Sequence, residues 1–225
     1  MIDQGLLELL ADSFFKLLLP GVTVVVPLTA ISFTLAMAIA VVTALVQFAN
    51  IRGLKQLARF YIWIIRGTPL LVQLFTVFYG LPNLGVVIAP FPAAVIVLSI
   101  NEGAYAAEII RAALESVPAG QMEAGYCVGM SYLQIIRRIV LPQALRTAFP
   151  SLSNSLISML KDSSLASVIT VPEILMAARR IVARTYEPLA LYLEAGLVYL
   201  LFCTVITKLQ KWGEQKLNFY GPQKG

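Results

Sequence analysis

Histidine is absent from this 225-residue chain, which removes the commonest metal ligand and general base. Only two cysteines occur, Cys127 and Cys203. They lie far apart, show no CxxC spacing, and read as free thiols. Charge is scarce: 13% of residues are Asp, Glu, Lys or Arg, against roughly a quarter in a soluble domain. With 59% apolar residues and a mean hydropathy of +0.81, the composition points to an integral membrane protein. The ten-residue alternation of a membrane barrel is missing. Runs of Leu, Ile, Val and Ala broken by Gly and Pro favour helices instead, so the expected class is an all-α membrane protein. No GxxxxGK[ST] phosphate loop occurs, so any ATP hydrolysis would have to come from another chain. No HExxH or paired-Asp motif occurs either, which disfavours an intramembrane enzyme. Asp3, Glu8 and Asp12 stand where a basic leader would be, so no cleavable signal peptide is expected. The formal charge of +5 is too modest to suggest nucleic acid and is read as topology. There is no internal repeat or low-complexity tract, and one domain, 1–225, is expected.

What is present divides into about five spans, each near the ~20 residues that cross a hydrocarbon core. Leu6, Leu7, Leu10, Phe14 and Leu17 recur at helical spacing and predict an amphipathic leading helix up to Leu19. Residues 21–48 carry no charge and form the first span. A turn at Asn50–Gly53 leads to Lys55 and Arg59, read as cytoplasmic, which puts the N-terminus outside. The second span, 60–81, holds Arg66, Pro69 and Gln73. Pro69 predicts a kink near Gly67–Pro69, and Arg66 and Gln73, seven apart, are expected on one face. The third, 93–113, sets Asn101, Tyr105 and Glu108 at i, i+4 and i+7 on one stripe, with Glu102 beside it and Arg111 near the end. The fourth, 147–170, has Lys161, Asp162, Ser163 and Ser164 near its middle. A short outer helix is expected over 174–182, and the fifth span over 189–206 contains Glu194. Lys208, Lys211, Lys216 and Lys224 put the C-terminus in the cytoplasm. Arg179, Arg180 and Arg184 resist this topology, since they fall on the outside, with Glu173 and Glu187 offsetting part of that charge. Tyr61, Trp63, Tyr79 and Tyr220 read as interface anchors.

The stretch 118–142 is polar and punctuated. Residues 121–128 predict a short helix ended by Gly129 as a C-cap, with Glu123 in its first turn. Ser131 and Gln134 have capping-box spacing and start a second helix through Leu133, Ile136 and Ile139, expected to stop before Pro142. A plain solvated loop is the alternative.

The pattern Glu123-Ala124-Gly125, Gly129, Ile139, Leu141, Pro142 resembles the EAA signature of permease subunits of bacterial ATP-binding cassette (ABC) importers. Every spacing matches, with one departure: Gly125 replaces an Ala, a change that weakens a helix by up to about 1 kcal/mol. Arg66 to Leu70, Gly103-Ala104-Tyr105 through Glu108, and Lys161 to Leu165 resemble the polar amino acid branch, the histidine/glutamine/arginine/cystine-type permeases. The resemblance implies a type I importer permease fold with a cytoplasmic coupling helix at 123–129. It implies a bacterial cell-membrane location and a dimer of ATPase subunits that binds ATP and Mg, with no cofactor in this chain. It also implies a second permease subunit, identical or paralogous, and an extracytoplasmic solute-binding protein that delivers an amino acid of the basic, cystine or glutamine type.

Charges within spans are costly and are functional candidates by default. Arg66, Glu102, Glu108, Lys161, Asp162 and Glu194 form such a set, with acids in excess. On one reading, Asn101, Glu102, Tyr105, Glu108, Arg66, Gln73, Lys161, Asp162 and Ser164 line a cavity. There the acids meet an ammonium or cationic side chain, and Arg66 or Lys161 a carboxylate. On the other, the charges only brace the bundle. Glu102 stands where the family commonly has a small polar residue. A permease for another small polar solute, an intramembrane enzyme and a partnerless pore are the rival functions. Co-purification with an ATPase and ATP-dependent uptake separate them.

Overall fold

Pro27, Pro82 and Pro142 would each break an ordinary helix, because the ring clashes with the carbonyl four residues back and cannot donate to it. In each case the chain widens just upstream into a single π-helical segment, Gly21–Val25, Thr76–Gly80 and Ile136–Val140. The residue preceding each proline then bonds five residues back. The N–H of Val26 donates to the Gly21 carbonyl, Leu81 to Thr76, and Leu141 to Ile136. The prolines are thus absorbed and the helix axis continues.

The computed structural model describes residues 4–48 and 52–218, and those residues contain helices but no strand. The helices are α1 (Gln4–Pro20), α2 (Val26–Phe48), α3 (Arg52–Gly67), α4 (Leu70–Phe75), α5 (Pro90–Glu115), α6 (Ala119–Cys127), α7 (Tyr132–Ile135), α8 (Leu141–Asp162), α9 (Ile174–Thr185) and α10 (Pro188–Asn218). Short 3-10 turns cover Leu81–Leu84 and Ser163–Ile169. Among the described residues, three helical stretches are long and apolar enough to cross a membrane: Gly5–Phe48, Pro90–Glu115 and Pro188–Lys216. The pair Gly53–Gly67 and Leu70–Leu84, bent by 102° at the break, is a fourth candidate.

Several expectations are corrected. The leading helix and first span are one helical stretch of 44 residues, because the π segment carries the chain past Pro27. The helix of 132–139 does not stop before Pro142, for the same reason. The fourth span is not one helix over 147–170. α8 begins at Leu141 and ends at Asp162, where Ser163 and Ser167 turn their hydroxyls back onto the carbonyls of Leu160 and Ser164, both at 2.7 Å. Such short polar side chains compete with α-helical bonding, and the backbone tightens into a 3-10 turn closed by Thr170 at φ 67°. The expected kink does occur: α3 ends at Gly67 and Pro69 caps α4. Arg66 and Gln73 therefore fall on different helices and do not share one helical face, and Gln73 donates to the Thr68 hydroxyl at 2.8 Å. The turn at Asn50 and Ile51, and the residues Asp3, Tyr220 and Lys224, lie outside the described residues.

The chain forms two compact units. One comprises the described residues of Met1–Thr34, Thr68–Ser99 and Leu156–Thr207. Its core joins Leu17 and Val25 to Leu160, Ile174, Ala178, Ala195 and Val198. The other comprises the described residues of Leu35–Gly67, Ile100–Ser155 and Lys208–Gly225. Its core has two parts: Ala40 and Ile62 pack with Ala104, Ala106 and Ala107, and Ala113 and Leu114 pack with Ile135, Val140, Ala144 and Ala148.

Candidate functional site

In the second unit, α5 meets its neighbours through residues that have little side chain. A Cβ at Gly103 would lie 2.9 Å from Ile39 Cγ2 and 3.1 Å from the Tyr61 hydroxyl. Gly103, Ala104, Ala106 and Ala107 are all buried. Small residues let helices approach closely in a membrane, where apolar burial offers no net drive between them. Tyr61 is not the interface anchor its position suggested: it is half-buried and donates to the Ile100 carbonyl at 2.6 Å. Trp63 remains exposed at 70%.

This approach assembles a charged cluster around Glu108. Arg111 grips it with two bonds, Nε to Oε1 at 3.1 Å and Nη2 to Oε2 at 2.8 Å. Gln47 from α2 donates to Oε1 at 3.3 Å, and Arg66 from α3 lies 3.9 Å from Oε2. Arg111 also reaches Glu115 at 2.6 Å. The Arg66 guanidinium stands 5.2 Å from the centroid of the Tyr105 ring, a cation–π contact. A cavity of about 350 Å³ opens beside the cluster, lined by Gln47, Lys55, Arg59, Glu108, Arg111 and Glu115 among others. Arg66, Tyr105 and Glu108 are therefore together, as the stripe on α5 suggested, with Asn101 and Glu102 half-buried on the same helix. Gln47 and Arg111 complete the cluster. Gln47 had no sequence signal, whereas Arg111 follows Glu108 at the i+3 spacing that favours pairing. Gln73, Lys161, Asp162 and Ser164 belong to the other unit; Lys161 and Asp162 are exposed at the end of α8, and Ser164 is half-buried.

The stretch 118–142 also lies in the second unit, and its connector is built from two complementary caps. α6 ends in a Schellman motif: Gly129 adopts φ 79°, its N–H donates to the Tyr126 carbonyl at 2.9 Å, and that of Met130 to Gly125 at 3.0 Å. A β-carbon is disfavoured at that φ. One residue later Ser131 opens α7 with a complete capping box, its N–H donating to Gln134 Oε1 at 2.8 Å and its hydroxyl accepting from Gln134 N–H at 3.4 Å. Gly125 is buried against Ile135, where an added Cβ would come within 2.7 Å of Cγ1. The residue that departs from the EAA pattern therefore closes the packing between α6 and the following helix. Glu123 is not in the first turn as expected, because α6 starts at Ala119. Glu123 and Ala124 are exposed with Tyr126, Cys127 and Val128; Gly129, Leu141 and Pro142 are exposed, and Ile139 is half-buried. α6 thus presents polar and apolar side chains outward, next to a connector that caps the end of α6 and the start of α7.

A family model described as binding-protein-dependent transport system inner membrane component matches residues 36–219. The chain belongs to this family. It is 45% identical over 214 residues to the L-cystine transport system permease protein TcyB of Bacillus subtilis, covering 95% of this chain and 92% of that one. The nopaline transport system permease protein NocM of Agrobacterium fabrum is 37% identical over 222 residues, covering 94% and 92%. Among solved structures, the crystal structure of an amino acid ABC transporter with histidines aligns with a TM-score of 0.85 and 34% identity, over 92% of this chain and 96% of that one. The methionine ABC transporter MetNI in an inward-facing conformation, 17% identical, aligns with a TM-score of 0.68 over 96% and 99% and shares the fold. The permease is a multi-pass, all-α inner-membrane protein with the type I importer fold. It is a transport subunit of the amino acid ABC importers and works with an ATPase and a binding protein.

Elsewhere the permease satisfies acids differently. Glu173, fully buried, caps α9 by accepting from Leu175 N–H at 2.8 Å and Met176 N–H at 2.7 Å, and the Tyr199 hydroxyl also donates to it. Burial pushes its carboxyl above the usual range, against the lowering effect of these donors. Glu194 on α10 is buried and accepts from the Ser13 hydroxyl on α1.

Proposed function

We propose that this permease imports polar amino acids of the basic, cystine or glutamine type. The single observation that carries the cargo reading is the Arg66–Tyr105 pair beside Glu108 on α3 and α5. An arginine laid over an aromatic ring keeps its charge while its face is shielded from water, a suitable partner for an α-carboxylate. Glu108 is saturated by Arg111, Gln47 and Arg66, so we assign it to holding that arginine rather than to gripping an ammonium. Asn101 and Glu102 on the same helix are proposed to contact the rest of the substrate. Gln73, Lys161, Asp162 and Ser164 are proposed separately as polar residues of the path. The cystine and nopaline specificities of the relatives' systems support a small zwitterionic cargo.

The N-terminus lies outside and the C-terminus in the cytoplasm, a reading supported by Lys55, Arg59, Arg137, Arg138, Lys208 and Lys211. The two units act as one permease domain, and two permease subunits, identical or paralogous, form the pathway. α6 with Glu123, Ala124, Gly125 and Gly129, backed by Ile139, Leu141 and Pro142, docks on the ATPase. ATP and Mg are bound by the ATPase dimer, whose closure moves α6. A stiff α6 is required because a frayed helix would absorb the motion instead of passing it on.

Uptake of labelled arginine, cystine and glutamine into vesicles carrying the whole complex tests this. Arg66→Gln should raise the KM for import about tenfold while ATPase stimulation by the loaded binding protein persists. Full uptake at unchanged KM for every amino acid would remove Arg66 from the path.

A further inference from the structure

In the first unit, α1 and α9 pack through Leu17 and Ala178, both fully buried. Where the two helices part, a cavity of about 310 Å³ opens, walled by Pro20, Pro172 and Ile181 and ringed by Lys16, Arg180 and Arg184. Arg180 and Arg184 stand four apart on one face of α9, both exposed, and Lys16 faces them from α1. The only carboxylate paired there among the described residues is Asp12, on Lys16, so positive charge is in excess. Beside Lys16, α1 and the π segment that follows it turn a run of large apolar side chains outward: Phe15 is 70% exposed, Leu19 64% and Val22 53%. These belong to the apolar stretch Gly5–Phe48, which is long and apolar enough to cross a membrane. The basic pocket, which includes Lys16 and Pro20, therefore lies alongside this exposed apolar stripe. These are also the arginines that the distribution of charge along the chain leaves unexplained.

We propose that this pocket binds the phosphate of an anionic phospholipid headgroup, with its acyl chains lying along Phe15, Leu19 and Val22. Arginine and lysine at a headgroup level attract anionic lipid, and guanidinium pairs hold phosphate oxygens in a fork. The proline and isoleucine wall takes the first methylenes of the acyl chains. A flat basic face would suit the acidic surface of a protein partner. The concave, half-apolar pocket alongside the exposed apolar stripe suits an amphiphile. The assignment is independent of the cargo.

Native mass spectrometry of the purified complex, titrated with phosphatidylglycerol or phosphatidylcholine, tests the proposal. Phosphatidylglycerol should bind preferentially, and Arg180→Gln with Arg184→Gln should weaken it roughly tenfold or more. Lys208→Gln with Lys211→Gln should leave it within about twofold, and Arg180→Lys with Arg184→Lys should retain most of the binding. Equal binding of the two lipids overturns the proposal, also in the Lys pair should the Gln pair fail to fold. Unchanged lipid binding in the Gln pair overturns it too, and a concurrent loss of affinity for the binding protein would reassign the patch to that partner. Complete displacement of the lipid by millimolar inorganic phosphate would assign the pocket to a free anion instead.

Discussion

Glu108 and Glu173 are both carboxylates drawn away from bulk water, one in each unit, yet they are satisfied in opposite ways. Glu108 keeps a quarter of its side chain exposed and is matched by charge, with Arg111 bidentate and Arg66 in reserve. Glu173 has no exposure and, among the described residues, no ion pair; it takes two backbone N–H groups and a hydroxyl. Glu194 follows the second pattern with Ser13. A guanidinium is worth its desolvation where water still screens the remainder. A fully buried acid is more cheaply held by neutral donors and by the positive end of a helix. The first arrangement stays partly open to solvent, whereas the second holds the start of α9 in place.

The largest effect expected from breaking this contrast is at Arg111. Arg111→Ala leaves Glu108 and Glu115 without their shared donor and should cost about 2 kcal/mol, read as a lower melting temperature of the purified permease. Adding Glu108→Gln should recover part of that loss. If Arg111→Ala melts like the parent, the cluster does not brace the unit.

Glu173→Ala should cost somewhat less, about 1–2 kcal/mol, by removing the cap of α9 and stranding the Tyr199 hydroxyl. The pH dependence has a definite sign. The folded carboxyl lies above its unfolded value, so the stability it contributes is present at low pH and declines as pH rises from about 4.3 through the raised value. The parent's melting temperature should therefore fall relative to Glu173→Gln across that interval. An unchanged difference would mean that the acid is not held up by burial.

Ser13→Ala should cost about 1 kcal/mol, and a double cycle with Glu194→Gln should show coupling. Additive effects would mean that α1 and α10 are held by packing alone. The smallest stability effect is expected at Arg66, 3.9 Å from Glu108 and 43% exposed. Arg66→Gln should change the melting temperature by the equivalent of less than about 0.5 kcal/mol. A large loss of stability would make Arg66 a brace rather than a path residue.

The parts of the permease that were legible beforehand rest on short-range geometry. The Ser131–Gln134 box, the Gly129 cap and the break at Thr68–Pro69 each depend on residues within a few positions. The stripe of Tyr105 and Glu108 follows from helical periodicity alone. The continuation of helices past Pro27 and Pro142 was not legible, because a proline read locally is a stop and the π segment that absorbs it leaves no compositional mark. Gln47 gave no sign of its role, being one amide in an apolar run.

Composition, spacing and caps by themselves determined a helical membrane protein with a capped break between α6 and α7, since apolar length and i to i+4 relations are properties of the chain; the permease reading came from the resemblance of 123–142 to the EAA signature. Only the tertiary structure decided which charges are spent on one another. Glu108 meets Gln47 across 61 positions, and Ser13 meets Glu194 across 181. Whether a buried acid finds a guanidinium or a hydroxyl depends on which helices pack against it, and no local spacing encodes that.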